Sequence, residues 1–173
     1  MQARAAAPHE ILLPVKRTFI AATLFTALLI NLLPWSGWLL AIKPDFVALA
    51  VLYWCIQEPR KVGFSVAFLL GLVMDVADGS LMGQHALAYS VLAFAGIVLH
   101  RRVRRFTLRS QVAHVIPLLL LNDLIVLALR ALAGAKFPGF IYLAGSFTGG
   151  ALWPLVFLLL KLPQRPTSDP DHV

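Results

Sequence analysis

The sequence predicts an all-α fold, a polytopic membrane bundle of six transmembrane helices, and three observations carry that prediction. Of 173 residues, 60% are hydrophobic and only 13% are charged, against roughly a quarter charged in ordinary soluble domains. Mean hydropathy is +0.81. Apolar runs follow one another with no polar stretch long enough to build a separate soluble core, so residues 1–173 read as a single membrane domain. Finally, the fifteen Lys and Arg residues gather on alternate loops.

Taken in order, the spans are Thr18 to Leu33, Asp45 to Ile56, Val62 to Ala77, Gln84 to Leu99, Val112 to Ala133 and Phe140 to Leu160. The first follows Lys16 and Arg17 as a secretory signal would, but Pro34-Trp35-Ser36-Gly37-Trp38 resembles an interfacial anchor rather than a cleavage site, so it reads as a retained helix. The second opens with Pro44 suited to the first helical position and Asp45 complementing the positive helix end, and stops before Pro59. The second to fourth spans fall short of the ~20 residues a hydrocarbon core needs, so they thin the bilayer, extend into their flanks or sit within the bundle. Pro117, Gly149, Gly150 and Pro154 interrupt the fifth and sixth, which keeps an inverted-repeat transporter open. The tails, 1–14 and 163–173, carry Pro and polar residues without periodicity and are expected to be disordered.

A cytoplasmic N-terminus puts Arg4, Lys16, Arg17, Arg60, Lys61, Arg101, Arg102, Arg104, Arg105, Arg109, Lys161 and Arg165 inside, leaving Lys43, Arg130 and Lys136 outside. By the positive-inside rule both termini are cytoplasmic, and the 75–83 turn lies at the outer face. The net charge of +7 therefore reflects topology rather than nucleic-acid binding, since the basic residues flank spans instead of forming a patch on a polar domain. Cys55, alone in an apolar run, excludes an intrachain disulfide and reads as a small buried hydrophobe. No metal-ligand spacing, nucleophile–base pair or phosphate loop is visible, so neither a metal, a cofactor nor an enzyme is expected.

Gly71 to Gly83 holds two carboxylates and three glycines at the end of an apolar helix. Steps of four give Gly63, Ala67, Gly71, Asp75 and Gly79, a small-residue stripe that favours close contact with another helix, within the chain or in a partner. Asp75 and Asp78 fall in the last turn, where the macrodipole disfavours negative charge. Their compensation is expected from Lys43 or Arg130, from backbone N–H groups at a neighbouring helix start, or from a partner protein. Gly79 and Gly83 allow the tight turn that follows.

Asn122 and Asp123 are the deepest polar pair, serving either as a hydrogen-bonded lock between helices or as an ion or proton site. Arg130 lies two turns away on the same face. Arg101, Arg102, Arg104, Arg105 and Arg109 form a loop suited to anionic lipid or to a cytoplasmic partner. His85 and His114 stand isolated in apolar runs.

Lys43-Pro44-Asp45-Phe46, Leu52-Tyr53-Trp54, Pro59-Arg60-Lys61-Val62-Gly63 and the Gly71, Asp75, Gly79, Gly83, Ala86-Leu87 series, in that order, resemble the rod shape-determining protein MreD family. The resemblance implies a non-enzymatic inner-membrane component of the bacterial elongation machinery. Its implied partner is MreC and, through the complex, MreB, RodA and its penicillin-binding transpeptidase. Members also look similar to the substrate-binding subunits of energy-coupling factor transporters. Nothing is carried from the family onto Asn122 or Asp123.

Two functions follow. As a scaffold, the chain binds MreC through Gly63, Ala67, Gly71, Asp75, Gly79 and Gly83. As a small-molecule-binding or transport subunit, it uses Asp45, Asp75, Asn122 and Asp123 as a polar cavity, and at least two of the acids must then share one pocket.

Overall fold

The computed structural model describes residues 15–37, 40, 42–79, 83–135 and 139–161. The expected disordered tails, Lys136 and the middle of the 79–83 turn lie outside the described residues. The helices are α1 (Arg17–Asn31), α2 (Phe46–Gln57), α3 (Phe64–Ala77), α4 (Gln84–Val103), α5 (Leu108–Leu132) and α6 (Ala144–Lys161), with a 3-10 turn, Phe140–Leu143, leading into α6. By length and composition, α4, α5 and the 140–161 segment are able to cross a membrane. The 15, 12 and 14 residues of α1, α2 and α3 extend only about 18 to 22 Å at 1.5 Å per residue.

The shortest of the described α-helices is the centre of the bundle. Every residue of α2 from Val47 to Ile56 is buried, as expected for a helix apolar on all sides. It packs on α1, α4, α5 and α6, so its outer surface is protein. Trp54 donates to Thr23 Oγ1 of α1 at 2.9 Å and stands edge-on to Tyr53, which also meets Trp153 and Phe157 of α6. Both buried indoles are satisfied, because Trp153 donates to Gln111 Oε1 of α5 at 3.1 Å. Cys55 is buried, with its thiol 3.5 Å from the Val62 carbonyl.

The helices alternate in direction, gathering the loops at two ends. One end holds the close of α1, the start of α2, the α3–α4 turn and the link from α5 to α6. The other holds the α2–α3 and α4–α5 turns, and there Lys61 donates to the Val15 carbonyl at 2.8 Å. We call them the acidic end and the arginine end.

Three expectations about the helices change. Pro44 lies outside α2, and Asp45 caps it by accepting from Val47 N at 3.1 Å and Ala48 N at 3.0 Å. α4 runs on to Val103 and α5 begins at Leu108, beyond the expected 99 and before the expected 112. The arginines end the hydropathy but not the helix, since Arg is a good helix former. Pro117 and Pro154 lie inside helices that continue past them. Gly149 and Gly150 are close-contact points, where a Cβ would meet Leu119 Cδ1 at 2.9 Å and overlap Ile116.

Candidate functional site

Two carboxylates cap two helices at the acidic end, and only one of them caps its own. Asp75, on the last turn of α3, accepts from the backbone N–H groups of Gly83 at 2.8 Å, His85 at 2.9 Å and Ala86 at 3.3 Å. These are the unpaired donors that begin α4, and Gly83 has no side chain with which to cap them. His85 Nδ1 also lies 2.9 Å from Asp75 Oδ1. A carboxylate ringed by N–H groups accepts, so we assign the ring proton to Nδ1. Gln84 Nε2, at 3.4 Å from the same nitrogen, is then a neighbour rather than a donor to it.

Of the three compensators expected for Asp75, the structure uses the neighbouring helix start. The turn between them needs glycine at Gly79 and Gly83, whose φ angles are +58° and +106°. One helical turn earlier, Gly71 lets the two backbones touch. A Cβ there would sit 2.5 Å from Ala86 N and 2.6 Å from the His85 carbonyl carbon.

That geometry corrects the expectation of a partner face. Ala67, Gly71 and Asp75 are buried within the α3–α4 pairing, so the middle of the stripe is occupied by the chain's own helix. Its ends differ: a Cβ at Gly63 would meet nothing nearer than Pro59 O at 4.0 Å, and one at Gly79 would find open space. The side of α3 left exposed is apolar instead, with Phe64, Leu69, Val73 and Val76 between 45% and 67% exposed.

Asp45 accepts more than its helix cap. Tyr89 of α4 donates to its Oδ2 at 2.7 Å, and Asn31 of α1 approaches its Oδ1 at 3.5 Å. Asn31 is itself held by three elements: its carbonyl accepts from Lys43 Nζ at 2.6 Å, its Oδ1 from Phe46 N at 3.4 Å, and its Nδ2 approaches Met74 Sδ at 3.6 Å. Asp123 of α5 accepts from Ser146 of α6 at 2.5 Å and from Asn122 at 3.4 Å. Asn122 Oδ1 is buried with no hydrogen-bond partner among the described residues.

Several of these groups line a cavity of about 460 Å³ bordered by Asn31, Lys43, Asp45, Met74, Asp78, His85, Asp123, Arg130 and Tyr142, with Leu40 and Ile141 among its apolar residues. Its size is that of a small-molecule site. Asp45 and Asp123 therefore share one pocket, as the ligand-binding alternative requires. Asp75 and Asn122 do not border it; Asp75 is turned into the α3–α4 contact. Among the described residues, no three His, Cys, Asp or Glu side chains converge as a metal centre.

Arg130 and Asp123 both face this cavity without forming an ion pair, and the Arg130 guanidinium lies 5.5 Å from the centre of the Tyr142 ring. The wall beneath is fixed by α6, where Thr148 Oγ1 donates to the Ile42 carbonyl at 2.7 Å. Gly145 allows the Lys43 carbonyl so close that a Cβ would lie 2.6 Å from it.

His85 is not isolated, as its apolar run suggested. It sits ten residues from Asp75 across a hairpin, a separation no single-helix periodicity reveals. Asn31, Tyr89 and Tyr142 were likewise missed, each a lone polar group on an apolar segment. His114 stays apart from the site and bonds the Ser110 carbonyl one turn back at 2.8 Å. At the opposite end, Arg101, Arg102, Arg104, Arg105 and Arg109 are all exposed.

The MreD family, described as rod shape-determining protein MreD, matches residues 15–162. The rod shape-determining protein MreD of Haemophilus influenzae is similar to the chain, 31% identical over 139 residues, which cover 80% of this chain and 86% of the relative. No solved structure matches. Because the family match takes in every described helix, from the capped core helix to the cavity wall, the chain belongs to the MreD family of rod shape-determining proteins.

Proposed function

We propose that the chain is a non-enzymatic, multi-pass scaffold of the bacterial inner membrane that binds MreC. Through MreC it supports MreB-linked peptidoglycan synthesis by RodA and its penicillin-binding transpeptidase. The family match across the whole helical body carries this reading. In the same reading the body is one membrane domain crossed six times, with both termini cytoplasmic. The three shorter helices span because protein rather than lipid covers much of their surface, above all around α2. The crowding of exposed arginines at one end, against Lys43 and Arg130 at the other, supports this orientation.

With the middle of the small-residue stripe closed against α4, the exposed apolar faces are the larger surface left for MreC. The test is recovery of MreC with the tagged full-length chain, combined with photo-crosslinkers at Phe25, Leu69, Val73 and Leu158. Crosslinks confined to one of these faces support the scaffold. Failure to recover MreC from cells whose rod shape the tagged chain restores overturns it.

The cavity joining Asp45 to Asp123 favours a second reading, a ligand-binding membrane subunit. The two readings are compatible, because the cavity lies at the acidic end of the bundle and the exposed apolar faces run along its sides.

A further inference from the structure

Most of the carboxylate capacity around the cavity is already used by the protein. Asp45 accepts two backbone N–H groups and the Tyr89 hydroxyl, and Asp123 accepts the Ser146 hydroxyl. Three charged groups on the wall are not committed in this way. The Arg130 guanidinium has no hydrogen-bond or ion-pair partner among the described residues and rests only on the Tyr142 ring. Lys43 Nζ uses one of its three donors, on the Asn31 carbonyl. The Asp78 side chain is 39% exposed, with His85 Nε2 3.9 Å from its Oδ2.

These groups come from different walls. Asp78 ends α3, which packs on α4, whereas Arg130 ends α5 and stands over the turn that begins α6. Lys43 bridges two elements at the same cavity, its carbonyl packed against Gly145 of α6 and its Nζ on the Asn31 carbonyl at the end of α1. A simple anion entering the cavity would face Asp78, Asp45 and Asp123, and a simple cation would face Arg130 and Lys43. A guest carrying both signs meets each wall with its complement.

We propose that this cavity binds a zwitterion, with a phosphate or carboxylate group held by Arg130 and Lys43 and an ammonium group held by Asp78. The proposal deepens the ligand-binding reading and does not depend on the scaffold reading. An aminophospholipid headgroup and a free amino-bearing phosphate or acid share this chemistry. Leu40 and Ile141, both more than half exposed at the cavity, offer an apolar bed for whatever chain the zwitterion carries.

The test is calorimetric titration of the purified full-length chain in detergent with four probes: dihexanoylphosphatidylethanolamine, dihexanoylphosphatidylglycerol, O-phosphoethanolamine and glycine. An amine-bearing probe is expected to bind saturably and at least tenfold tighter than the phosphatidylglycerol. Arg130→Gln and Asp78→Asn should each weaken it tenfold or more, with thermal unfolding unchanged, whereas Arg17→Gln, at the opposite end of the bundle, should leave it intact. Binding by the phosphatidylethanolamine alone supports a lipid headgroup as the source, and equal binding by O-phosphoethanolamine or glycine supports a free zwitterion. Phosphatidylglycerol binding as tightly, with Asp78→Asn silent, overturns the zwitterion and leaves a ligand site for anions. Absence of saturable binding by all four overturns the zwitterion and the ligand-binding reading together.

Discussion

The first turns of α4 and α5 begin with the same unpaired backbone donors and satisfy them in opposite ways. At α4 the donors of Gly83, His85 and Ala86 converge on Asp75, a buried acid from the preceding helix. At α5 the capping position is Thr107, whose side chain makes no capping bond, in a turn surrounded by exposed arginines. The first arrangement spends charge on holding two helices together. The second leaves charge facing outward, available to the lipid headgroups and water at a membrane surface. The contrast explains how a chain with so few charged residues carries a cavity at one end and a cationic surface at the other.

Breaking the acidic end should have the larger effects. Gly71→Leu forces a side chain into the backbone of His85 and Ala86, which cannot rotate aside as a side chain would. We expect a loss of about 3 kcal/mol or more, at the upper end of overpacking penalties, read as a lower unfolding temperature and reduced membrane yield. The same collapse disqualifies this substitution as a test of partner binding. Asp75→Ala keeps the packing but strips the start of α4 of its acceptor, for an expected cost of about 2 to 3 kcal/mol. Replacing Arg101, Arg102, Arg104, Arg105 and Arg109 together with Gln should change stability least, within about 0.5 kcal/mol. It should instead reduce the anionic lipid that co-purifies with the chain, counted by native mass spectrometry. A large stability loss from the arginine set, or none from Asp75→Ala, would erase the contrast between the ends.

Much of the helical layout was legible because apolar runs and Pro or Gly boundaries are local signals. Asp45 followed by an apolar run, for example, identifies the start of α2 to within a residue. The four-residue spacing of Ala67, Gly71 and Asp75 likewise exposed a packing stripe, and the positive end of a neighbouring helix was among the expected partners of Asp75. The identity of the occupied face was not legible, since periodicity shows that a helix face is small without showing which helix meets it. The cavity was half legible. Asp45 and Asp123 stood out as acids in apolar runs, but Lys43, Arg130 and Tyr142 join them only through the clamp of α6 on residues 42–45, a contact spanning about a hundred positions of sequence.

Hydrogen–deuterium exchange on the full-length chain in detergent tests the inward-turned acid most directly, because it reads the backbone donors themselves. The amides of His85 and Ala86 should exchange far more slowly than those of Leu108 and Arg109, although all four lie in the first turn of a helix, and Asp75→Ala should abolish the difference. Equal, rapid exchange at both helix starts in the unmodified chain would contradict the account.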